Sequence, residues 1–139
     1  MKNTGREMRG SLAKSAVLDS SAVLAVLFDE PGGASVTDLF SGGLLSAVNL
    51  AEILTKLKQG GWETGFAWGR VLNMGFEVCP YESEQARLTS ELIDQTRPFG
   101  LSLGDRACLA LAIAHKATVY TTDRVWKNLD LGIEIEVIR

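Results

Sequence analysis

The chain has 139 residues, 46% of them hydrophobic and 22% charged, with a net charge of -3. That length and balance suit one folded domain with its own core and exclude a disordered chain. Its longest apolar runs, of about eight residues, fall short of the roughly 20 that a membrane span needs, and no apolar leader core opens it, so a soluble cytoplasmic protein is expected.

Residues 1–15 read as a basic arm. Lys2, Arg6, Arg9 and Lys14 stand against Glu7 alone, which puts +3 on this stretch and leaves -6 on the rest. A disordered tail or an extended translation start, with Met8 as a second possible first residue, is the favoured reading over a nucleic-acid-binding arm. The folded domain is expected over residues 16–139.

Ala16-Val17-Leu18 is a short apolar run ending at Asp19 and predicts a buried strand. Ser20 and Ser21 are good capping residues for a helix through Phe28, which Pro31-Gly32-Gly33 breaks. A short helix to about Phe40 is expected next, stopped by Gly42-Gly43. Leu44-Leu45-Ser46 predicts a second strand. Leu50, Ile53, Leu54 and Leu57 give helical spacing from Asn49 to Gln59, and a further helix is expected from Trp62 to Leu72. Phe76 to Cys79 predicts a third strand, and Glu82 to about Thr96 a helix.

Ser102 to Lys116 is the most strongly helical segment, rich in Ala and Leu, and is expected to pack in the interior. Thr118 to Thr122 predicts a fourth strand. Ile133 to Ile138 alternates apolar and acidic residues, as an edge strand does. Cys79 and Cys108, the two cysteines, sit in apolar runs and read as buried free thiols. With no Cys/His cluster, a structural zinc site is excluded.

Short apolar strands alternating with helices define an α/β domain with a mostly parallel sheet. Ligands of such sheets bind beyond the carboxyl ends of the strands. Asp19 ends the first strand, Glu52 lies early in the helix after the second, Asp105 opens the interior helix, and Asp123 ends the fourth strand. All four carboxylates are therefore expected at one end of the sheet. An oxygen-only set suits Mg²⁺ or Mn²⁺, which can activate water and polarise a phosphate.

Each acid also has a structural reading. Ser102-Leu103-Gly104-Asp105 matches a capping box, Asp123 can cap a short helix, and Asp19 can be a turn residue. Glu52, among Leu50, Ile53 and Leu54, is the hardest to assign to structure alone. Three neighbours have supporting or purely structural readings. Ser21 bonds Asp19 or caps a helix. Asn49 orients Glu52 or caps its helix. Thr121 shares a sheet face with Asp123 and either contacts phosphate or is an ordinary strand residue. Lys56, Lys58, Arg106, Lys116, Arg124 and Lys127 either guide RNA or, as favoured for most, are solvated helix faces.

The segments Val17-Leu18-Asp19-Ser20-Ser21-Ala22, Ser46-Ala47-Val48-Asn49-Leu50-Ala51-Glu52, Leu101 through Ala112 and Val119-Tyr120-Thr121-Thr122-Asp123 together carry a resemblance. The chain resembles PIN-domain ribonucleases of the VapC type, the toxins of bacterial toxin–antitoxin pairs, from about Ala16 to the C-terminus. The resemblance implies a three-layer fold, with a five-stranded parallel sheet flanked by helices. It also implies Mg²⁺- or Mn²⁺-dependent endoribonuclease activity, with Asp19, Glu52, Asp105 and Asp123 binding metal. Further implications are structured RNA substrates such as tRNA or rRNA, a homodimer, and a cognate antitoxin whose C-terminal segment enters the acidic groove. The long basic arm and Trp126, where such proteins more often have Phe, are departures.

Other chemistries fit less well. A haloacid-dehalogenase phosphatase needs an Asp where Ser21 stands, and a receiver domain needs acids close before Asp19. A Ser-His-Asp hydrolase lacks its G-x-S-x-G turn. His115 is the only histidine and excludes histidine-pair ribonuclease chemistry; packing or capping is its expected role. A PIN-like module that binds RNA or protein without cleaving is the alternative to the enzyme.

Overall fold

The computed structural model describes residues 15–139. The expected basic arm lies outside the described residues, except that the Ser15 carbonyl already accepts a hydrogen bond from Thr118 N (2.9 Å) and so belongs to the sheet. Five strands form one sheet: β1 (Ala16–Leu18), β2 (Leu44–Ser46), β3 (Glu77–Cys79), β4 (Thr118–Thr121) and β5 (Ile135–Val137). Their spatial order is β3-β2-β1-β4-β5, and every pairing is parallel. β1 is central, with Val17 beside Leu44 on one flank and Val119 on the other. β5 is an edge, as its alternating sequence predicts.

The pleat of β1 sends Val17 and Leu18 to opposite faces, and each enters a separate core. Val17 packs with Cys108, Leu109, Leu111, Val119 and Trp126. Leu18 packs with Val23, Leu45, Ile53, Leu57 and Val71. Helices therefore cover both faces, giving the three layers expected of a buried parallel sheet. The second face carries α1 (Ser20–Leu27), α2 (Ala47–Gln59) and α3 (Thr64–Leu72). The first carries α4 (Ser83–Glu91), α5 (Ile93–Thr96) and α6 (Leu103–His115). Cys79 and Cys108 are buried free thiols.

Several elements differ from expectation. The stretch before Phe40 is two single 3-10 turns, Gly33–Ser35 and Thr37–Leu39, not an α-helix. α1 itself stops at Leu27, before Pro31, with Asp29 left-handed at φ +53°, and Gly32 enters the first 3-10 turn at φ +89°. The helix expected over 82–96 is interrupted at Leu92, whose N–H donates to the Thr89 carbonyl three residues back (3.3 Å) and whose side chain is buried in the core. α2 starts at Ala47, two residues earlier than expected, because Ser46 is its cap: Ser46 Oγ accepts from Val48 N (3.2 Å). His115 ends α6 exposed, so it packs in no core.

Candidate active site

The strand-end residues and two helix starts meet beyond the carboxyl ends of β1, β2 and β4. Asp19, 3% exposed, follows β1. Thr121 ends β4 on the same face, and its Oγ1 donates to Asp19 Oδ2 (2.9 Å). Ser21 Oγ donates to the same oxygen (2.6 Å) and accepts from Thr122 N (3.0 Å). Thr121 Oγ1 also accepts from Asp123 N (3.1 Å). Two hydroxyls thus tie Asp19 to the strand end that carries Asp123. The other Asp19 oxygen, Oδ1, is buried and has no partner among the described residues.

Burial raises the Asp19 pKa to about 6, against the lowering effect of the Ser21 and Thr121 hydrogen bonds; the charges of Asp105 and Glu52 raise it further. A buried carboxylate with one bare oxygen is costly without a cation nearby.

Asn49 is fully buried on α2 and does not cap it. Its Nδ2 donates to Glu52 Oε1 (2.9 Å) and to the Gly104 carbonyl (3.1 Å). It therefore aims Glu52 and clips α2 to α6 at once. Gly104 has a part that no local sequence pattern announces. Its missing Cβ leaves the space that the Glu52 carboxylate fills, and a methyl group there would overlap Oε2.

Asp105 completes the capping box of α6: its Oδ2 accepts from Ser102 N (2.9 Å), and its own N–H donates to Ser102 Oγ (3.2 Å). Burial raises its pKa, Ser102 lowers it, and the charges of Glu52 and Asp123 raise it again. Asp123 is exposed and accepts from Val125 N (3.2 Å), capping a 3-10 turn over Arg124–Asn128. Cys108 lies one helical turn beyond Asp105, fully buried. Its thiol is pushed well above the usual range by burial, then by the charges of Asp19, Asp105 and Glu52.

The structural readings of Asp105 and Asp123 therefore hold, yet Asp105 is electrostatically linked to all three other acids. Among the described residues no three His, Cys, Asp or Glu side chains are drawn close enough to share an ion as they stand. Neutral donors hold each acid instead, as mutual repulsion requires. The donor set is all oxygen, Asp19 Oδ1 is bare among the described residues, and the Gly104 notch admits Glu52; these features fit a hard divalent cation.

Arg106 does not fit an RNA-guiding role. It is half-buried, its Nη1 donates to the Thr89 carbonyl (3.0 Å), and it ties α6 to α4. Trp126, at the position that departs from the resemblance, is fully buried in the core.

The sequence matches the PIN domain family over residues 16–131, and the chain belongs to that family. Its fold is also that of toxin–antitoxin proteins of the VapBC kind. It is similar to DNA-bound VapBC from Salmonella typhimurium at 17% identity and a TM-score of 0.68, covering 90% of this chain and 98% of that one. It is similar to VapBC2 from Rickettsia felis, bound to a promoter DNA fragment, at 15% and 0.66, covering 87% and 96%. It is also similar to VapC20 from Mycobacterium tuberculosis, a sarcin-ricin loop cleaving toxin, at 16% and 0.61, covering 86% and 99%. Comparison with curated proteins gave no match.

Proposed function

We propose that the chain is a Mg²⁺- or Mn²⁺-dependent endoribonuclease, the toxin of a type II toxin–antitoxin pair, hydrolysing phosphodiester bonds in structured RNA in the cytoplasm. The observation that carries this reading is the buried Asp19, held on one oxygen by Ser21 and Thr121 and bare on the other, within electrostatic reach of Glu52 and Asp105. Asp19, Glu52, Asp105 and Asp123 would hold the cation. When bound, it supplies Lewis-acid polarisation of the phosphate and a more acidic water.

The chain's own residues do the positioning. Ser21 and Thr121 fix the Asp19 carboxylate and favour its ionised form. Asn49 and the Gly104 notch fix Glu52. The capping box orients Asp105 from a rigid helix start. A site on strand ends and helix starts keeps its geometry better than one on loops.

Membership in the PIN family and likeness to VapBC proteins support the toxin reading. Likeness to VapC20, which cleaves the sarcin-ricin loop, supports an RNA target. A cognate antitoxin is the proposed partner, and a homodimer the proposed assembly. Exposed Phe66, Trp68 and Leu103 offer apolar surface for such contacts.

Incubation of the purified chain with tRNA and rRNA, with Mg²⁺ and with EDTA, tests the activity. Cleavage that needs the cation and disappears in Asp19→Asn and Asp105→Asn is expected. Cleavage that persists in EDTA, or RNA binding without cleavage by the wild type, overturns the enzyme reading.

A further inference from the structure

A cleft of about 350 Å³ opens beside the acidic pocket, on the flank formed by the start of α1. Its polar lining comes from Ser20, Ser21, Thr122, Lys56 and Arg139, with Glu30 as its only acid among the described residues. Ser21 is shared with the pocket, since its Oγ donates to Asp19 Oδ2. The cleft therefore begins where the proposed cation site ends.

Its cations differ in what they already do. Arg139 donates to Glu30 Oε1 (2.9 Å) and to the Pro31 carbonyl (3.2 Å), so Arg139 and Glu30 largely satisfy one another. Lys56 has no ion-pair or hydrogen-bond partner among the described residues. It stands one turn after Glu52 on α2 and also borders a second hollow, lined by Glu52, Thr55 and Gln59. The hydroxyls of Ser20 and Thr122 are likewise unpartnered among the described residues. Among the described residues, one free ammonium and two free hydroxyls meet in a cleft whose one carboxylate, Glu30, is already paired with Arg139. That donor set lacks an acceptor partner, and a phosphodiester supplies one.

We propose that this cleft is a subsite for a backbone phosphate of RNA next to the one held at the acidic pocket, with Lys56 as its charged contact. The inference rests on the endoribonuclease reading above. Lys56 also offsets the field of the acid cluster for a polyanion approaching that face. Lys58, two residues on, is turned to Thr64 Oγ1 (3.3 Å) and does not line the cleft.

The test uses full-length chain carrying Asp19→Asn, a fluorescent single-stranded RNA oligonucleotide and a series of NaCl concentrations. Adding Lys56→Ala is expected to weaken binding about tenfold, as loss of a charge-assisted contact does, and to make the log–log salt slope shallower by about 0.7. Lys56→Arg should restore both, and Lys58→Ala should leave the slope unchanged. In the active chain, Lys56→Ala should raise KM far more than it lowers kcat. If the active chain cleaves RNA while Lys56→Ala matches its parent in affinity, slope and KM, the subsite is wrong and the endoribonuclease reading stands. Equal slope losses in Lys56→Ala and Lys58→Ala mean a diffuse field and also overturn it. If the wild type neither cleaves nor binds RNA, both fall.

Discussion

Gly104 gives up its side-chain space to Glu52: the carboxylate occupies the volume that a Cβ at position 104 would need. Gly104→Ala should therefore push Glu52 out while leaving the helix sound. Alanine is favoured over glycine inside a helix by about 0.5–1 kcal/mol, so melting should stay level or rise. RNA cleavage at limiting Mg²⁺ should fall at least about tenfold, and higher Mg²⁺ should recover part of it. Full activity at every Mg²⁺ concentration would show that the position of Glu52 is unimportant.

Asp19 should make the cation-free protein less stable as pH rises. Its folded pKa of about 6 lies above the ordinary aspartate value of 3.8. Below both values the group is protonated in either state and costs nothing. Between them the unfolded chain ionises while the fold keeps its proton, so stability falls; above about pH 6 the loss levels off at about 3 kcal/mol. The upward shift at Asp105 acts in the same direction. Thermal melts in EDTA from about pH 4 to 8 should show this decline, and Asp19→Asn should reduce it. Millimolar Mg²⁺ should raise the melting temperature at about pH 7 but not at about pH 4.

Thr121→Val removes the donor to Asp19 Oδ2 and the acceptor for Asp123 N together. With one fewer donor to its charged form, Asp19 should hold its proton to still higher pH. The acid limb of the pH–rate profile should then move upward, with a loss of stability at neutral pH of about 1–3 kcal/mol. Thr121→Ser, which keeps the hydroxyl, should behave like the wild type.

Ser102→Ala separates the two roles of Asp105. It deletes the capping hydroxyl and should cost about 0.5–2 kcal/mol in urea unfolding while cleavage persists. Asp105→Asn should do the reverse, abolishing cleavage with little loss of stability in EDTA. If both variants lose cleavage equally once folded, the capping geometry itself is what the chemistry needs.

The inner strands β1 and β2 are legible in the sequence because each is a short apolar run closed by a polar residue, Leu18 by Asp19 and Leu45 by Ser46. The capping box at Ser102 is legible for the same local reason. Gly104 is not, because its neighbour Glu52 lies on another helix and no local pattern encodes that contact. Asn49 has two readings in the sequence, and the structure chooses between them: Ser46 is the cap, and Asn49 Nδ2 donates to Glu52. The break at Leu92 is hidden as well, because the apolar periodicity of Leu88, Leu92 and Ile93 continues through it. Arg106 reads as a surface charge unless the position of Thr89 is known.

The central place of β1 has a consequence for synthesis. Asp19 is among the first residues of the fold, yet Thr121, which holds it, is 102 positions later. A nascent or truncated chain that stops short of β4 has no strand beside β1 on that side and no hydroxyl at position 121 to orient the acid. Such long-range pairing forms late and slowly. For the endoribonuclease proposed above, the hydroxyl-held form of Asp19 therefore assembles only once β4 is in place beside β1.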